Sequence, residues 1–370
     1  MSTIIESHDR PSAALPPIPS AQDEVWYTRC PVPTPFALAL QTGALADEVT
    51  GAGLKWRALQ ESSDPATHSS HFTHLKQNSF RHGGNIPAIW ARARGADTRL
   101  VGLTWVELSY VVLALPGSGI ESAADLRGRR LLVPRQSDAG LDFWQASVLR
   151  TYETALASAS LTLDDVTLVE QSTARPTFAD RALASEEPLG SWALYGHYGF
   201  QQGTLLPLLR GEVDAIASQG NHALELAGLS GAQVVFDLRD LADSKLRVNN
   251  DTPDTLTVSG SFAAQHPDRV ALVIVQLQKA AAGAAARPDE ATRLFARDVA
   301  IAEALAAAAL PTDFAAGLEV SLDAARLEGL QGQVDFLSRH GFIERAFDVE
   351  GWVDRRPLEL AAGITSEERA

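Results

Sequence analysis

The residues best suited to chemistry lie in two short segments, YTRCPVP at 27–33 and HFTHLKQNSFRHGGNIP at 71–87. The first holds Cys30, the only cysteine of the chain, in a loop that alternating prolines stiffen. A helix N-terminus at Pro35 and the adjacent Arg29 could lower the pKa of this thiol and make it reactive. The alternative is a small buried apolar residue, as free cysteines often are.

The end of the second segment has the composition of an anion-binding site. Arg81 offers two N–H groups in the geometry that an oxyanion requires. Gly83 and Gly84 allow a ligand to approach the backbone closely, and a short helix is predicted to begin near Pro87. The alternative is an ordinary turn with a solvated arginine.

Histidines and aromatic residues each allow two interpretations. Four of the nine histidines, namely His68, His71, His74 and His82, lie close together and could bind zinc. No carboxylate separates them and Cys30 is the only available thiolate, which favours a histidine-rich polar loop and no metal. Phe72 and Trp144 could line an aromatic pocket, although such residues more often belong to a core.

Short strands and helices alternate along most of the chain. VWYT at 25–28 predicts a strand, Thr34 and Pro35 predict the start of a helix, and LKWRAL at 54–59 predicts the next strand. This alternation predicts an α/β fold with mostly parallel sheets flanked by helices. Ligands of such sheets lie at the carboxyl ends of strands, which is where Cys30 falls.

Length and charge restrict the possible partners. A chain of 370 residues predicts two domains, and its 45% content of apolar residues is that of a globular protein. The net charge of −15 disfavours binding to nucleic acid or to anionic membranes. No secretory signal, membrane span, phosphate loop or dinucleotide fingerprint is recognisable, so we expect a cytoplasmic protein without a cofactor.

Several motifs resemble known families. DLRGRRLLV at 125–133 and LLRGEVDAI at 208–216 resemble turns of the type II periplasmic-binding-protein fold. Within that superfamily, YTRCPVP, HFT at 71–73 and RHGGNIP at 81–87 resemble the 2'-hydroxybiphenyl-2-sulfinate desulfinases of dibenzothiophene desulfurisation. The resemblance implies two α/β lobes with the active site in the cleft between them. We expect a flexible arm at 1–20, lobe I at 21–113 plus 230–370, and lobe II at 114–229.

The resemblance also implies a reaction and a set of site residues. An aryl sulfinate would be hydrolysed to an arene, 2-hydroxybiphenyl, and sulfite by a monomeric enzyme without metal or cofactor. The implied catalytic residues are Cys30, His71 and Arg81, where Arg81 binds the sulfinate. The implied substrate-binding residues are the Gly84 backbone, Phe72, Trp144, Thr28 and His74, the last of which replaces a phenol of the family.

Two roles for the thiol remain open at this point. A nucleophile would have to be a thiolate, whereas a general acid that protonates the ring carbon would have to keep its proton. A bound sulfinate and a dry pocket would raise the pKa of Cys30, which favours the general acid. The alternative function is that of a non-catalytic sulfonate- or sulfinate-binding protein.

Overall fold

The chain divides into two compact units, each built around one sheet. The computed structural model describes residues 16–28, 30–135, 141–172 and 203–367. The first unit comprises residues 1–106, 251–300 and 313–370, and the second comprises residues 107–250 and 301–312. The lobe boundaries expected at 113/114 and 229/230 thus both fall inside the second unit.

The sheet of the first unit has five strands in the order β2-β1-β3-β10-β4. They are β1 Glu24–Thr28, β2 Lys55–Ala58, β3 Ser79–Gly83, β4 Thr98–Thr104 and β10 Asp254–Ser259. β1 pairs in parallel with β2 and β3, whereas β10 runs antiparallel between β3 and β4. Apolar side chains such as Val25, Phe80 and Leu256 form the core beneath this sheet.

The second unit repeats this arrangement with the order β7-β6-β8-β5-β9. Its strands are β5 Tyr110–Ala114, β6 Arg130–Arg135, β7 Thr167–Ser172, β8 Ala215–Gln219 and β9 Gln233–Asp237. β6 pairs in parallel with β7 and β8, and β5 runs antiparallel to β8 and β9. The prediction of an α/β fold with mostly parallel sheets is therefore confirmed, with one reversed strand in each sheet.

Helices flank both sheets. Those of the first unit are α1 Pro35–Gln41, α2 Ala44–Gly51, α3 Pro65–Thr73, α4 Asn85–Ala93, α8 Gly260–Gln265, α9 Pro267–Ala286, α10 Pro288–Val299, α12 Phe314–Gly317, α13 Ala324–Arg339 and α14 Arg356–Glu367. Those of the second unit are α5 Phe143–Ser158, α6 at 203–209, α7 Gly220–Ser230 and α11 Glu303–Ala309. Within the described ranges, no helix combines the length and the apolar character needed to cross a membrane.

Local signals predicted some helix ends and missed others. Thr34 caps α1 as expected, because its hydroxyl oxygen accepts a hydrogen bond from the Ala37 N–H at 3.2 Å. α4 begins at Asn85, two residues before the expected start at Pro87. The prediction of a polar loop around His68 and His71 is wrong, because both residues lie on α3. The Asp64 carboxylate caps that helix.

Part of the expected N-terminal arm is fixed to the first unit. The Ile18 N–H donates to the Leu75 carbonyl at 2.8 Å, and the Gln77 N–H donates to the Ile18 carbonyl at 2.9 Å. The Lys76 ammonium donates to the Pro19 carbonyl at 2.7 Å. Residues 16–20 are therefore held by the loop that follows α3, whereas residues 1–15 lie outside the described residues.

Candidate active site

Cys30 and Gly83 contact each other at the carboxyl ends of β1 and β3. Because these two strands are parallel neighbours, the residues that follow them meet at one edge of the sheet. The Cys30 side chain is only 7% exposed. A methyl group added to Gly83 would lie 2.5 Å from both the Cβ and the Sγ of Cys30. Because residue 83 is a glycine and has no side chain, the thiol can occupy this space.

Arg81 is a buried cation with an unused donor. It is 5% exposed, lies on β3, and pairs in register with Thr28 of β1. Its Nη1 donates to the Gly84 carbonyl at 2.7 Å, whereas its Nε has no partner among the described residues. A solvated arginine in an ordinary turn is thereby excluded. A buried N–H group without a partner is costly, so this side chain suits a bound anion.

His71 is oriented from β1. Its Nδ1 lies 2.5 Å from the Thr28 hydroxyl oxygen, and that oxygen accepts a hydrogen bond from the Gln60 amide at 2.9 Å. Because Gln60 donates to this oxygen, the threonine hydroxyl can in turn donate to Nδ1. The Phe72 ring packs edge-on against His71 at 4.6 Å between ring centroids.

His74 ends α3 and is also buried. It adopts the left-handed conformation at φ 54°, which completes the C-terminus of the helix. Burial and the nearby charge of Arg81 hold the pKa of His74 well below its ordinary value, so the ring is neutral. His68 and His71 are buried on the same helix. No group of three or more histidine, cysteine or carboxylate side chains in the described residues is placed to hold a metal ion.

The thiol of Cys30 keeps its proton at neutral pH. Burial raises its pKa to about 11, and the positive charge of Arg81 only partly opposes this. The carboxyl groups of Asp254, Asp251 and Asp298 raise the pKa further. The sequence had suggested that the start of α1 and Arg29 would lower this pKa. Arg29 lies outside the described residues, and the burial of the thiol outweighs the charge of the helix end.

Asp254 is a site residue that the sequence did not reveal. It begins β10, is fully buried, and has no hydrogen-bond partner for either carboxyl oxygen in the described part of the chain. Burial, then the proximity of Asp251, raise its pKa well above the ordinary value. An aspartate placed after Pro253, at the start of a strand with no other charged residue, was the available signal.

Trp144 and Gly84 were expected to bind the substrate. Trp144 lies on α5 in the core of the second unit, where its ring meets the His222 ring edge-on at 6.5 Å between centroids. Gly84 is the N-cap of α4 and contributes its carbonyl to Arg81. The roles expected for Trp144 in the aryl pocket and for the Gly84 N–H at an oxyanion stay predictions.

Solved structures provide the comparison with known proteins. The desulfurization enzyme DSZB is 24% identical, with a TM-score of 0.71 over 93% of this chain and 100% of that chain. Its cysteine-to-serine variant, in complex with biphenyl-2-sulfinic acid, is 25% identical, with a TM-score of 0.72 over 93% and 99%. The periplasmic aliphatic sulphonate binding protein SsuA from Escherichia coli is 16% identical, with a TM-score of 0.62 over 90% and 93%.

These similarities confirm the resemblance at the level of structure. The chain has the two-lobed α/β fold that DSZB and SsuA share. No protein-family model and no curated protein matches the sequence.

Proposed function

We propose that this protein is an aryl sulfinate desulfinase. It would hydrolyse a substrate such as 2'-hydroxybiphenyl-2-sulfinate to 2-hydroxybiphenyl and sulfite. The observation that carries the proposal is a protonated, buried thiol at the end of β1, next to a buried arginine that has an unused N–H on β3. The similarity in fold to DSZB over 93% of the chain supports it.

Arg81 would hold the sulfinate group. The site lies in a chain with a net charge of −15, so an anion needs a local cation to enter it. Arg81 meets this need, because it is the cation that acts most strongly on Cys30. With one N–H already directed to Gly84, the guanidinium is fixed in orientation before the substrate arrives.

Cys30 would act as the proton donor. The thiol proton passes to the ring carbon that carries sulfur, the C–S bond breaks, and sulfur dioxide leaves. Water then adds to sulfur dioxide to give hydrogen sulfite and one proton, which balances the proton that the thiol gave up. A pKa of about 11 favours this role over that of a nucleophilic thiolate. His71, held by its hydrogen bond with Thr28, would orient the substrate.

Sulfite release tests the proposal. We would compare the wild type with Cys30→Ser on 2'-hydroxybiphenyl-2-sulfinate and on benzene sulfinate, and record thermal melting of both proteins as the folding control. Sulfite from the wild type alone is the expected result. A solvent isotope effect on turnover supports the proton donor, whereas a trapped cysteine–sulfur adduct would support the nucleophile.

A second candidate function is binding of sulfonates or sulfinates without catalysis. It is favoured by the similarity in fold to SsuA, which covers 90% of this chain. Absence of sulfite release, together with thermal stabilisation of both the wild type and Cys30→Ser by sulfinates or sulfonates, would establish the binder. The cysteine would then be structural, and the cytoplasmic location, which stays a prediction, would have to be tested by fractionation.

A further inference from the structure

A small cavity lies against Cys30 on the side of α1. Its lining includes Cys30, Thr34, Phe36, Ala37, His82 and Asp298. The cavity measures about 10 Å³, which is roughly the volume that one water molecule requires. Besides the thiol, four of the lining side chains are polar or titratable, namely Thr28, Thr34, His82 and Asp298, so a water molecule in the cavity has hydrogen-bonding groups around it.

His82 leaves one buried nitrogen for a partner in this cavity. The side chain is 1% exposed, and its Nε2 lies 3.1 Å from the Thr104 hydroxyl oxygen. Its Nδ1 has no partner within the ranges that the structure describes. Burial lowers the pKa of His82 to about 3, so the ring is neutral at ordinary pH. Its Nδ1 then needs an uncharged hydrogen-bond partner. A water molecule in the cavity can supply that partner.

Asp298 connects the cavity with bulk water. It lies in the last turn of α10 and is partly exposed. The Gln41 amide of α1 donates to the Leu294 carbonyl of α10 at 2.7 Å, which fixes the two helices beside the cavity. The charge of Asp298 acts on Cys30, because it contributes to the raised pKa of the thiol.

We propose that water in this cavity passes protons from Asp298 to Cys30. The inference rests on the proposed function, which requires a new proton on the sulfur in every cycle. After the thiol has protonated the ring carbon, the thiolate takes a proton from the cavity water. The Asp298 carboxylate takes a proton from solution and passes it to that water. Hydration of sulfur dioxide returns one proton to solution, so the cycle is balanced.

If protons reach Cys30 through Asp298, a substitution at 298 should lower kcat, whereas the same substitution elsewhere on α10 should not. Asp298→Asn keeps the shape of the side chain but cannot pass a proton. We expect kcat to fall about tenfold or more, with KM within about twofold and a larger solvent isotope effect. Asp298→Glu should restore most of the rate. Asp289→Asn, the same change at an exposed position of α10, should leave kcat unchanged.

A second variant tests the cavity without touching the carboxyl group. Ala37→Val fills space next to Cys30 and should lower kcat in the same way. If Asp298→Asn and Asp289→Asn have the same kcat and isotope effect while the wild type releases sulfite, the route is wrong and the desulfinase stands. If the wild type releases no sulfite, both proposals fail. Should Ala37→Val not fold, the Asn and Glu variants at 298 decide the question.

Discussion

Replacing Gly83 with alanine tests whether the position of the thiol controls turnover. The added methyl carbon would lie 2.5 Å from the Cβ and Sγ of Cys30, whereas unstrained carbon contacts are about 3.5–4.0 Å long. Relief of this overlap requires Cys30 or β3 to move by about 1 Å. A displacement of that size at a reacting group costs about a hundredfold in rate.

The loss of folding stability should not distinguish Gly83→Ala from an overpacking substitution elsewhere in the core. Overpacking in a core costs about 1–3 kcal/mol of the free energy of unfolding. Gly102→Ala is the matched control. Gly102 lies on β4 of the same unit, and its added methyl group would overlap the Val320 side chain. We expect both variants to be destabilised, but only Gly83→Ala to lose turnover per folded molecule.

The assay is sulfite release at saturating sulfinate, normalised to the folded fraction from circular dichroism. A Gly83→Ala enzyme within about threefold of the wild-type kcat would refute the reasoning, because the thiol would then tolerate the displacement. Equal losses of turnover in Gly83→Ala and Gly102→Ala would also refute it, since the effect would then be one of general packing.

Two further predictions concern Arg81 and His82. Arg81→Lys should lower kcat/KM for sulfinates about a hundredfold, because a lysine ammonium cannot both hold the Gly84 carbonyl and present a planar second N–H to the anion. Arg99→Lys, which changes a more exposed arginine of β4, is the control. A loss below about threefold in Arg81→Lys would contradict the role assigned to Arg81. His82 is neutral when folded, with a pKa of about 3, but is protonated near pH 6.5 when unfolded. Its contribution to the free energy of unfolding should therefore be lost as pH falls from 6.5 to about 3, at about 1.4 kcal/mol per pH unit. Chemical denaturation at several pH values should show a shallower acid dependence in His82→Gln, and unchanged slopes would contradict the neutral buried ring.

Local chemistry made one part of the site predictable from the sequence. Proline restricts its own backbone and threonine is a common N-cap. The stiff loop at Cys30 and the start of α1 could therefore be expected from the local sequence, in particular from Thr34 and Pro35. The anion-binding character of Arg81 also follows from local composition. α3 was missed because its serine, threonine and histidine residues favour a loop, although Asp64 and Pro65 carry a capping signal.

Other features depend on residues far apart in the chain. β10 returns from residue 254 to lie between β3 and β4, and this pairing brings Asp254 into the first unit. The protonation state of Cys30 depends chiefly on burial by such distant segments. A helix end and a neighbouring arginine are visible in the sequence, whereas the extent of burial that outweighs them is not.

The contact between Gly83 and Cys30 sets an order in which this site could have arisen. In an ancestor with any side chain at 83, a cysteine at 30 would meet an overlap with the Cβ of that residue. The glycine must then come first or together with the thiol, because the reverse order passes through a destabilised intermediate. This steric overlap couples the two positions, so a binding protein of this fold with a side chain at 83 would need both changes to gain a proton donor at this place.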